Sequence, residues 1–111
     1  MSRATVDVLT LLLDAWQDGV ELHGWEIMRR TRRSGPTVYT VLDRLEDAGW
    51  VDASWEVVPP KERRPRRRYY RLTATGAQTA RSRLAELPPV VSPSLRPRPE
   101  FGFLAAARSA G

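Results

Sequence analysis

Residues 61 to 71 read Lys-Glu-Arg-Arg-Pro-Arg-Arg-Arg-Tyr-Tyr-Arg, seven cationic side chains against one carboxylate. This stretch carries +6 while the whole chain carries +5, so the excess positive charge sits in one segment. Guanidinium groups at that density suit one kind of chemistry, the binding of polyanions through charge-assisted hydrogen bonds and the release of their counterions. A charge run is also what a solvated tract looks like. Strand-like segments on both sides point instead to a hairpin that presents its arginines to phosphates. A second group is Thr37, Thr40 and Arg44, spaced i, i+3 and i+7 on the polar side of an otherwise apolar helical pattern. Such a strip is narrow enough for a major groove, where Arg bonds a guanine edge and Thr meets a thymine methyl. Equally, it reads as a solvent-facing strip with Arg44 paired to Asp43 or Asp47. Other chemistries lack their parts. There is no cysteine and one histidine, His23, which removes disulfides, thiolate catalysis and the usual zinc ligand sets and implies no metal and no cofactor. No acid pair, nucleophile–base set or phosphate-cradling glycine loop is present, so an enzyme is not expected.

The elements that must position these groups follow from periodicity. Val6, Leu9, Leu12, Leu13 and Trp16 mark a first helix over residues 4 to 18. Val8, Leu11 and Ala15 widen its apolar arc to roughly 220°, more than one core face requires. The extra surface is met either by self-association or by another part of the same chain. Val20 to Leu22 form an extended connector, and a second helix runs from near His23-Gly24 to Thr31, with Trp25, Ile27 and Met28 as apolar contacts. Arg29, Arg30, Arg32 and Arg33 at its end either compensate the helix dipole or touch a phosphate. Ser34 is placed to cap a third helix that tolerates Pro36 in its first turn, buries Val38, Val41, Leu42 and Leu45, and ends at a left-handed Gly49. Val51, Ala53, Trp55 and Val57 then alternate with Asp52, Ser54 and Glu56, the period of a half-buried strand that Pro59-Pro60 ends. Tyr70 and Leu72 face inward on the return strand, and residues 58 to 67 form the loop between. Thr73 caps a fourth helix with Ala77, Ala80, Leu84 and Leu87 on one side, stopped by Pro88-Pro89.

The fold class expected is mainly α with a small β-hairpin: a winged helix-turn-helix of order α-α-α-β-β-α over residues 1–87. A Pro-, Arg- and Ala-rich disordered tail follows over 88–111, with a short apolar patch at Phe101 to Ala107. At 111 residues the chain has room for one such domain. No apolar run approaches the roughly 18 residues of a bilayer span, and no targeting pattern opens the chain, so it reads as soluble and cytoplasmic with no membrane contact.

One run of motifs resembles a known family. His23-Gly24-Trp25-Glu26-Ile27, Thr37-Val38-Tyr39, Leu42, Arg44-Leu45-Glu46, Ala48-Gly49-Trp50-Val51, Arg64 to Thr73 and Gly76 stand in the order and spacing of a short member of the PadR family of bacterial winged-helix transcriptional regulators. The resemblance implies double-stranded DNA as partner. It places the third helix in the major groove through Thr37, Thr40 and Arg44, and the wing along the backbone through Lys61, Arg63, Arg64, Arg66 and Arg67. Arg32, Arg33 and Ser34 would meet DNA beside the third helix, and the Tyr39 hydroxyl either contacts a phosphate or packs beside the second helix. Kinship also implies a homodimer, with Val8, Leu11, Ala15, Leu84 and Leu87 as the interface, although relatives usually carry a longer C-terminal helix. A small aromatic effector beside Trp16 is a further implication. The function read from all this is a sequence-specific regulator, a repressor on a roughly palindromic operator. The alternative is a winged-helix module that binds protein, as an anti-repressor or adaptor.

Overall fold

The structure is a computed structural model that describes residues 1–87. Its order is α1 (Arg3–Asp18), β1 (Leu22–His23), α2 (Gly24–Thr31), α3 (Gly35–Asp47), β2 (Val51–Trp55), β3 (Arg68–Leu72) and α4 (Ala74–Ala85). The strands form one antiparallel sheet in the order β1-β3-β2. The tail and its apolar patch at Phe101 to Ala107 lie outside the described residues.

Local chemistry sets each boundary. Ser2 opens α1 by accepting the Thr5 N–H at 3.1 Å. Gly19, at φ 70°, closes it: Val20 N–H reaches the Ala15 carbonyl and Gly19 N–H the Trp16 carbonyl, so two otherwise unpaired carbonyls are satisfied. The same pair of bonds ends α3, from Trp50 N–H to Leu45 and from Gly49 N–H to Glu46, with Gly49 at φ 80° as expected. His23 caps α2 through Nδ1, Ser34 caps α3 and Thr73 caps α4. The Thr73 hydroxyl also donates to the Gly49 carbonyl, tying the start of α4 to the end of α3.

α1 runs through the middle of the molecule, packed on α2, α3, α4 and β3. Its wide apolar arc is therefore met within the chain. Val8 and Ala15 are buried, which corrects their expected place at an interface with a second copy. Leu11 is only half-buried, as is Leu84 on α4, while Leu87 is exposed. Leu9, Leu12, Ile27, Leu42 and Leu72 are fully buried, each contributing roughly 1.5–3 kcal/mol of transfer free energy.

Two expectations are revised at the sheet. The connector at Leu22 is a third strand: it pairs Leu22 with Tyr70 and His23 with Tyr69, so β3 is bonded on both edges. The inward alternation of β2 also stops early. Val51 is buried and Ala53 half-buried, but Trp55 is 53% and Val57 92% exposed. Neither side chain joins the core at the end of the strand. Trp25 departs in the same way; expected among the core contacts of α2, it is 57% exposed.

Candidate nucleic-acid interface

The polar strip of α3 is in place. Thr40 and Arg44 are exposed and Thr37 is half-buried, its hydroxyl accepting from Ser34 Oγ at 3.1 Å. Arg44 forms no ion pair with Asp43 or Asp47 among the described residues, so its guanidinium keeps all its donors. Tyr39 lies against the first residue of α2. A methyl group on Gly24 would collide with the Tyr39 hydroxyl, and only glycine lets the ring stand so close to that helix start.

The residues before α3 divide. Arg32 is exposed and closes α2 in the left-handed region at φ 59°, a conformation that disfavours any residue with a Cβ. Arg33 is committed elsewhere: its Nε and Nη2 donate to Asp7 Oδ2 at 3.0 and 2.7 Å, and Asp7 is 10% exposed. It fastens the α2–α3 turn to α1 and is paired, unlike Arg32 beside it. Ser34 accepts the Thr37 N–H as the α3 cap.

The wing divides too. Arg64 lies in a fork of carboxylates, 2.8 and 3.0 Å from the two oxygens of Glu56 and 3.0 Å from Glu62. The Arg64 hydrogen bond, aided by the Arg67 N–H, holds the Glu56 carboxyl below its ordinary value, while those carboxylates raise Arg64 above its own. Arg64 thus braces the hairpin in the unbound chain, held by two carboxylates. Lys61, Arg63, Arg66 and Arg67 are exposed and form no ion pair among the described residues. They remain the four wing cations open to an anion.

Beside Tyr39, Arg66 and Arg67, which the sequence pattern singled out, the structure gathers candidates that it did not: His23, Gly24, Trp25, Trp55, Arg68 and Tyr70. Tyr39, His23, Gly24 and Trp25 face Trp55, Tyr70, Arg66, Arg67 and Arg68 across one cleft of about 440 Å³, so α3, the start of α2 and the wing share a side of the molecule. Arg66 and Arg68 lie over the Trp55 ring at 5.4 and 5.0 Å, and Arg68 also reaches Glu46 of α3 at 3.4 Å. His23 stacks on Trp25 at 5.9 Å, with Arg29 over the same indole at 4.9 Å. Burial pushes the Tyr70 hydroxyl up from its ordinary value at the cleft floor. For Trp55 the only signal in the sequence was its closeness to the arginine run, while the alternation of β2 assigned it to the core. Trp16, by contrast, borders a hollow of about 150 Å³, below the roughly 300–1,000 Å³ usual for ligand sites. Among the described residues no cluster of His, Asp or Glu could hold a metal ion, and no helix is long and apolar enough to cross a membrane.

Comparison with known proteins agrees with this architecture. The model of the Transcriptional regulator PadR-like family matches residues 12–82. A candidate DNA-binding protein of Ralstonia eutropha JMP134 is 25% identical, with a TM-score of 0.58 over 74% of this chain and 95% of that one. A PadR family transcription regulator of Clostridium difficile R20291 is 17% identical at a TM-score of 0.60, covering 99% of this chain and 100% of that one. Bacillus subtilis PadR, solved in complex with operator DNA, is 21% identical at a TM-score of 0.62; all of this chain is covered but only 61% of that protein. No curated protein matches the chain.

Proposed function

The chain belongs to the PadR-like family of transcriptional regulators, and from that premise we propose that it is a DNA-binding repressor acting on a roughly palindromic operator. Residues 1–87 are the DNA-binding domain in this reading. α3 enters the major groove with Thr37, Thr40 and Arg44 toward the base edges, and Lys61, Arg63, Arg66 and Arg67 lie along the neighbouring phosphates. The observation that carries it is the shared cleft: Tyr39 of α3 and Arg66 and Arg67 of the wing line the same opening, so a single duplex can meet both elements. Affinity comes mainly from the wing through counterion release, and sequence choice from α3. Two copies with half-sites about 34 Å apart would read one palindrome. Of the side chains expected at the dimer interface, Leu11, Leu84 and Leu87 are the ones left partly open to a second copy.

The test is fluorescence anisotropy of the full chain on the duplex upstream of its own gene, against a scrambled duplex of equal length near physiological salt. A clear preference for the native duplex is expected. Absence of binding to either duplex would sink the reading.

A further inference from the structure

The repressor reading leaves the two indoles of the cleft without a task. A duplex offers phosphates and groove edges, while the faces of its bases are covered by their neighbours. Phosphates account for Arg66 and Arg67. They do not account for Trp25 and Trp55, which are 57% and 53% exposed and line the same opening as those arginines. Large aromatic side chains are not left this open at random around one cavity, because each exposed ring face forfeits burial that a core position would supply.

The chemistry of the walls is specific. Indole and phenol rings offer π-faces to a flat ring, and guanidinium groups at their edge offer hydrogen bonds to a phosphate. The guanidinium groups of Arg66 and Arg68 lie over the Trp55 indole at 5.4 and 5.0 Å. Arg68 is held from the other side by Glu46, and Trp25 is steadied by His23 and Arg29, so these groups have contacts that restrain them before any ligand arrives. Stacking aromatics interleaved with arginines is the combination by which proteins hold bases that are not paired in a helix. The cleft, at about 440 Å³, lies within the usual range for a small ligand.

We propose that this cleft is a nucleotide site: it stacks one unpaired base on the exposed aromatic faces and binds its phosphate through Arg66 and Arg67. The ligand class is a phosphorylated heteroaromatic ring, either a free nucleotide or an unstacked nucleotide of a single strand. Because Arg66 and Arg67 also belong to the wing, an occupied cleft and a duplex-bound wing compete for the same cations.

Isothermal titration calorimetry on the full chain tests this with four probes: adenosine 5′-monophosphate, adenosine, inorganic phosphate and a single-stranded DNA octamer. The monophosphate should bind at least about tenfold more tightly than either of its halves. Trp55→Ala should weaken it on the order of tenfold, the usual cost of removing one stacking partner, and Trp55→Phe should restore most of that affinity. Trp25→Ala is the second variant; both indoles are more than half exposed, so neither change should threaten the fold. An octamer that binds at least tenfold more tightly than the monophosphate, with the same dependence on Trp55, identifies the strand as the source; otherwise it is the free nucleotide. Equal affinity for phosphate and monophosphate, or indifference of both nucleotide probes to both tryptophan variants, overturns the site. Duplex binding measured on the same preparation separates the two readings: a chain that binds duplex but not nucleotide loses only this proposal, and one that binds nucleotide but not duplex loses only the repressor reading.

Discussion

Individual charges in this molecule differ in what they are free to do, and their sequence position does not reveal it. Arg64, Arg66 and Arg67 stand within four residues of one another, yet Arg64 is bonded to Glu56 and Glu62 while Arg66 and Arg67 are open. Arg66→Ala with Arg67→Ala should therefore reduce the slope of log affinity for duplex against log salt by roughly 2, near 0.9 for each phosphate that is no longer neutralised. Arg64→Ala should leave that slope unchanged, which salt titrations of the two variants will check. The Glu56 carboxyl gives a pH expectation. Its folded value lies below the ordinary one because Arg64 donates to it, so the bracing it provides is complete above the ordinary value and is lost only as pH falls through the lower one. The amide resonance of Arg67, which donates to Glu56 Oε1 at 3.2 Å, should hold steady from pH 7 to about 5 and move only at more acidic pH.

Between elements, two junctions decide how α3 is held. Gly76 on α4 lies against the Trp50 carbonyl, so close that a methyl group there would strike the backbone and not a side chain that could turn away. Gly76→Ala should cost about 1–3 kcal/mol, measured by urea unfolding, because two backbones must separate. The other junction is the Asp7–Arg33 pair between α1 and the α2–α3 turn. Asp7 Oδ1 is buried without a partner of its own, so the carboxylate depends on Arg33. Arg33→Ala should destabilise by about 1–3 kcal/mol, and Asp7→Asn added to it should recover part of that stability, since the stranded charge disappears. A double-mutant cycle that found the two changes simply additive would show that the pair does not hold the turn.

At the scale of the whole molecule, α1 spends most of its apolar surface inside its own chain, which leaves a small area for a second copy. Light scattering should still find a dimer at micromolar concentration, and Leu11→Glu with Leu87→Glu should shift it to monomer without lowering the unfolding midpoint greatly. A wild-type monomer at every concentration would remove the two-half-site reading. Much of this fold was legible beforehand. The four helices, their caps at Ser34 and Thr73, the left-handed Gly49 and the inward Tyr70 and Leu72 follow from spacing and local hydrogen bonding, which act over a few residues and are written in neighbouring letters. The strand at Leu22–His23 was not, because a two-residue strand exists only through the partner edge offered by β3, nearly fifty positions away. Nor were the choice between a second copy and the same chain as the cover for Val8 and Ala15, the capture of Arg33 by Asp7, or the exposure of Trp25 and Trp55. The sequence by itself determined the four helices, the two hairpin strands and the wing, and that positive charge gathers at one hairpin. Which arginines are free, and which aromatic rings open onto a cleft instead of a core, only the tertiary structure decided, since partners distant along the chain neutralise one group and leave the next uncovered.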